Sequence, residues 1–189
     1  MKNTIKLLGV VAIAAVIGFS MTACPEPEPE PDPAPQFTAL QVYTLENGEF
    51  TLFSGTGSEM DVTGFLFGAD SQNEKSSIGK IGTVSKDGKL SFELPSSIAD
   101  DKLFLVPNEF GGDGKTKFGM VGFFVSDDNY SKLELFNSSN SSYYVQFIYT
   151  NSSITANGKS FKKGWNYLEG NDQDGDAILD ISSHKWVIN

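Results

Sequence analysis

Three glycine-containing pairs, Asn47-Gly48, Asp87-Gly88 and Asn157-Gly158, each lie between two short runs of alternating apolar and polar residues. Asn-Gly and Asp-Gly supply the positive backbone angles that a tight hairpin needs, so each pair predicts two antiparallel strands. Around Gly88 the alternation is explicit: Leu90, Phe92 and Leu94 point one way, Ser91 and Glu93 the other. Further short runs read as strands at DVTGFLF, KLFLV, FGMVGFFV, KLELF, YYVQFIYT, GWNYLE, AILDI and HKWVI. They are rich in aromatic and β-branched residues and are punctuated by Gly, Asn, Asp and Ser. Only Ser96–Asp101 has the character of a helical turn. The expected fold is all-β, an antiparallel β-sandwich, with a closed β-barrel as the alternative.

The segment before these strands cannot join them. From Pro25 to Pro35 every second residue is proline, interleaved with Glu26, Glu28, Glu30, Asp32 and Ala34. Proline removes backbone donors and holds its neighbours extended, so neither helix nor sheet can use the segment. As a polyproline II rod at about 3.1 Å per residue it spans roughly 34 Å. The expected organisation is residues 1–23 as a signal, 24–36 as an anchor and spacer, and 37–189 as one β domain.

The signal reading rests on Lys2 and Lys6, followed by an uncharged run from Leu7 to Phe19 and small residues before Cys24. Cys24 is the single cysteine of the chain. Met21-Thr22-Ala23-Cys24 resembles the lipobox of bacterial lipoproteins, with Met21 where leucine is commoner. The resemblance implies cleavage before Cys24 and acylation of its sulfur, the palmitate-type modification of that family. It also implies residence at the bacterial cell membrane or outer membrane, lipid-anchored and extracytoplasmic. At about 0.8 kcal/mol per buried methylene, two or three chains hold a protein there permanently. Separately, IGTVSKDGKLSFELP resembles the hairpin of transthyretin-like and carboxypeptidase-regulatory sandwich domains.

Charge narrows the partners. The net charge is −10, and every cation is a lysine. Removing residues 1–23 takes away Lys2 and Lys6 but no acid, giving −12. Such a surface disfavours nucleic acid, which calls for a basic stripe and arginine forks. The partners expected are the lipid bilayer, through Cys24, and a protein or a glycan.

The catalytic inventory is thin. His184 is the lone histidine, and its alternation with Trp186 and Ile188 marks it as structural. No GxSxG, HExxH or CxxC occurs. Asp100-Asp101 and Asp127-Asp128 are adjacent pairs, and neighbours on a loop both point to solvent. No catalytic residue and no cofactor are therefore expected. Asp172, Asp174 and Asp176 have the alternate spacing of calcium-binding loops, but the EF-hand positions for Gly and Glu hold Ala177 and Ser183. An acidic hairpin turn is the expectation there, with a calcium site as the alternative. Among the aromatics, most are expected in the core and Tyr144 is the candidate exposed binding residue. The function expected is a non-catalytic binding or interaction module at the cell envelope. A carrier of a small apolar ligand in a barrel cavity is the alternative.

Overall fold

A computed structural model describes residues 33–55, 57–69, 75–126, 130–170, 176–177, 181 and 183–189. The strands are β1 (Gln36–Ala39), β2 (Tyr43–Glu46), β3 (Glu49–Leu52), β4 (Met60–Phe67) and β5 (Lys75–Val84). They continue as β6 (Leu90–Glu93), β7 (Phe104–Leu105), β8 (Lys117–Val125), β9 (Lys132–Asn137) and β10 (Asn140–Thr150). The last are β11 (Ile154–Ala156), β12 (Lys159–Phe161), β13 (Gly164–Gly170), β14 (Asp176–Ala177) and β15 (His184–Ile188). Thirteen of them form one sheet whose main path runs β1-β6-β5-β4-β8-β10-β9-β15-β2-β3, while β11 and β12 pair separately.

The sheet is open, ending at β1 and β3, so the closed barrel is not formed. It bends over itself instead. Phe37 on β1 and Trp186 on β15 are far apart in strand order, yet their rings lie 6.0 Å apart. Phe92, Phe123, Phe147 and Tyr167 complete the aromatic centre, with Phe37–Phe92 at 4.9 Å and Phe123–Phe147 at 5.0 Å. Alternation produces this filling directly. Along β4, Met60, Val62, Gly64 and Leu66 are buried while their neighbours are half-exposed. The fold is thus an all-β sandwich-like layer pair with a packed interior.

The turn predictions are realised by two different devices. Asn47 (φ 52°) with Gly48 (φ 83°), and Asn157 (φ 51°) with Gly158 (φ 74°), are both left-handed, as a two-residue type I′ hairpin requires. At the third site only Gly88 is left-handed (φ 77°); its N–H donates to Ser85 O at 2.9 Å, a type I turn closed by a glycine bulge.

Three departures from the expected pattern stand out. The strand expected at KLFLV shrinks to β7, because a 3₁₀ turn at Asp100–Lys102 takes up its start. A second 3₁₀ turn at Asn108–Phe110 carries no sequence signal. Among the described residues the antiparallel pattern is broken once, where β15 runs parallel to β2 through Val187 and Tyr43. Of the strand expected at AILDI, Ala177 lies in β14, and Ile178–Asp180 lie outside the described residues.

Candidate functional site: a cavity where the sheet forks

The ladder forks in the middle of the sheet. The first part of β8 pairs with β10, through Val121 and Phe147. Its last part pairs with β9 instead, through Phe123 and Leu133. The strands β9 and β10 meet each other only beyond this point, through Phe136 and Tyr144. Three strands therefore diverge around a triangular opening. A cavity of about 400 Å³ occupies it, bordered by Val121–Phe123, Leu133–Leu135 and Val145–Phe147.

On the outer side of the sheet the rim is made by Phe67, Met120, Phe124, Lys132, Glu134, Tyr144 and Gln146. The Gln146 side-chain amide donates to the Tyr144 hydroxyl at 3.4 Å. Glu134 accepts from the Asn189 side-chain amide at 2.7 Å. The Tyr144 ring leans on Phe136 at 6.2 Å, and Phe136 on Phe50 at 6.5 Å. Beyond them the Lys185 ammonium lies 4.7 Å from the Phe50 ring centre and 4.8 Å from that of Tyr43.

A second cavity, of about 200 Å³, lies further along the same outer face. Phe118, Ile148 and Leu168 form its floor, and Val106, Phe110, Ile154 and Phe161 its roof. The roof is held by backbone: Asn157 N–H donates to Phe110 O at 2.9 Å, joining the β11–β12 hairpin to the 3₁₀ turn. Asp113 fastens the adjoining loop. Its carboxylate accepts from the N–H groups of Thr116 and Lys115, at 2.6 and 2.8 Å, and from the Thr116 hydroxyl at 2.9 Å. These donors, the Thr116 amide foremost, lower its pKa from 3.8 to about 2. Met120 and Gln146 line both cavities.

Tyr144, the tyrosine singled out from the sequence, thus borders the larger of the two cavities. Tyr144 is half-buried, whereas Tyr143 is 42% exposed. The register of β10 against β9 shifts between Asn140 and Tyr144, the stretch that contains Tyr143. Phe147, Tyr149, Trp165 and Trp186 are buried as core.

His184 is also buried, its side chain only 3% exposed. Its Nε2 lies 3.2 Å from Glu169 Oε1, which also accepts from the Asn137 side-chain amide, and its Nδ1 is 3.5 Å from the Ser183 hydroxyl. The ring ties β15 to β13 and lines neither of the two cavities described. Cys24, Asp172 and Asp174 lie outside the described residues. The backbone of Asp176 pairs with Glu169 in β14–β13. Among the described residues no group of three or more His, Cys, Asp or Glu is placed to hold a metal.

Met120, Phe124, Lys132, Glu134 and Gln146 had no signal in the sequence. Their convergence depends on where strands part, which alternation does not record. Compared with models of protein families, with curated proteins and with solved structures, the chain has no match.

Proposed function

We propose that this protein is a bacterial envelope lipoprotein, held in the bilayer by acylated Cys24, that acts as a non-catalytic binding module. Its binding face is the outer side of β8, β9 and β10. One observation carries the reading: the interior is filled, while two cavities open along one outer face and share Met120 and Gln146. A concave, mainly apolar site with a few convergent polar groups is the common form of a ligand site. The proline-rich segment serves as the spacer that lifts this face from the lipid surface. A second reading, a carrier of a small apolar ligand, is favoured by the cavity under the β11–β12 hairpin; the barrel interior it first required has no counterpart in an open sheet.

Two measurements test the proposal. Wild type should partition into the detergent phase of a Triton X-114 separation, and Cys24→Ser should accumulate as an unprocessed precursor without acyl label. Equal acyl labelling of both would remove the anchor. In hydrogen–deuterium exchange on the full chain, solubilised envelope fractions should protect residues 120–124, 132–135 and 144–147. Exchange unchanged by any fraction would remove the binding module.

A further inference from the structure

The cavity under the β11–β12 hairpin narrows the carrier reading above, on which the inference rests. Among the described residues this hairpin pairs with no other strand. Two strands alone are marginal in water, so the hairpin needs a face to bury. Its register supplies one. Ile154 stands opposite Phe161 and Ala156 opposite Lys159, which puts these four on one side, with Thr155 and Ser160 on the other. Thr155 and Ser160 are exposed, their hydroxyls 3.3 Å apart, whereas Ala156 is buried and Ile154 and Phe161 are half-buried. The apolar underside lies over the floor of Phe118, Ile148 and Leu168, and the cavity of about 200 Å³ separates the two.

The polar groups around this cavity are already matched. The Thr150 hydroxyl donates to Lys162 O at 2.6 Å, the Asn157 N–H to Phe110 O at 2.9 Å, and the Gln146 amide to the Tyr144 hydroxyl at 3.4 Å. Lys159 is engaged as well. Among the described residues no buried side-chain nitrogen or oxygen lacks a hydrogen-bond partner. A ligand rich in donors and acceptors would shed its hydration here and gain no partner in return, so the cavity favours hydrocarbon. Size and shape narrow the choice. A cavity of ~150 Å³ lined by Leu, Ile and Phe admits benzene, and this one, of about 200 Å³, has the same kind of wall. Phe110, Phe118 and Phe161 offer ring edges and faces, the partners that an aromatic guest prefers. With a floor and a roof, the space takes a small molecule rather than the face of a protein or a membrane.

We propose that the cavity under the β11–β12 hairpin binds a neutral single-ring aromatic molecule, held between Phe118 and Ile148 below and Phe161 above. The test follows isoleucine methyl resonances of the full chain in phosphatidylcholine nanodiscs, with toluene dosed as vapour so that its free concentration is fixed. Ile148 and Ile154 line this cavity and not the fork, whereas Ile98 and Ile188 are buried in neither. Toluene should move the Ile148 and Ile154 signals saturably and leave those of Ile98 and Ile188 in place. Ala156→Leu, which fills the cavity from its roof, should abolish the movement, and unmoved Ile98 and Ile188 signals show that this variant is folded. Phe161→Ala, which removes one wall, should weaken binding about tenfold, and decides the matter if Ala156→Leu does not fold. Tyr144→Ala, at the fork, should change nothing. No saturable movement at Ile148 and Ile154, or movement unaffected by both Ala156→Leu and Phe161→Ala, overturns the aromatic assignment. If toluene fails but a chloroform extract of the cell envelope moves the same two signals, the carrier reading stands with another apolar ligand. If neither moves them, both fall.

Discussion

Asp113 shows what one side chain can hold. Its carboxylate ends three hydrogen bonds that close the loop before Thr116, and they favour the charged form. Because its pKa falls from 3.8 to about 2 on folding, the stabilisation is complete above the ordinary value and disappears as pH drops through about 2. Asp113→Asn should therefore melt below wild type at pH 6, with the gap closing as pH approaches 2. A gap that stays constant with pH would show that the charge is not its source. At this scale the sequence is legible where burial follows alternation: Leu90, Phe92 and Leu94 are buried, and Ser91 and Glu93 are exposed. It misleads at Tyr143, which is exposed although it alternates with buried Val145 and Phe147. The partner of His184, Glu169, lies on another strand and is invisible without the fold.

Elements were legible through their turns, because Asn-Gly and Asp-Gly act within a few residues. Pairings between distant strands were not. The parallel union of β15 with β2, and the fork itself, depend on long-range register that no local pattern encodes. Two glycines in β5 separate these local and non-local constraints. Gly79 (φ 86°) has open space where a Cβ would stand, so Gly79→Ala carries only backbone strain, about 1 kcal/mol. At Gly82 a Cβ would stand 2.2 Å from Ser91 O and 2.5 Å from Phe92 Cα. Gly82→Ala must push β6 away and with it the Phe92 ring, at a cost of about 2–3 kcal/mol. Urea unfolding of both variants checks the order; equal losses would mean that β6 yields freely at that point.

For the molecule as a whole, stability converges on Trp186, whose ring meets Phe37, Phe92, Phe123 and Phe147 within 6.0 Å. Trp186→Ala should cost about 3–5 kcal/mol, a large part of the 5–15 kcal/mol typical of a domain. Thermal unfolding would show it as a large drop in Tm, and a drop of only a degree or two would mean that the rings close over the gap. Deleting Pro25–Ala34 should leave Tm unchanged, since the segment brings almost no apolar surface to bury. The cut stops there because the Pro35 carbonyl accepts from Leu94 N–H at 2.9 Å. A lower Tm after the deletion would show that the segment packs on the domain. If the chain is held through the segment before the domain, as proposed, that bond and β1 would meet the pull first. β1 is a terminal strand of four residues, joined to β6 alone and plugged into the centre by Phe37. Drag on the domain, resisted through the segment before it, would load this short strand first. Mechanical failure would then begin as β1 peels from β6, with the Pro35–Leu94 bond, the four-residue ladder and the Phe37 ring giving the first resistance.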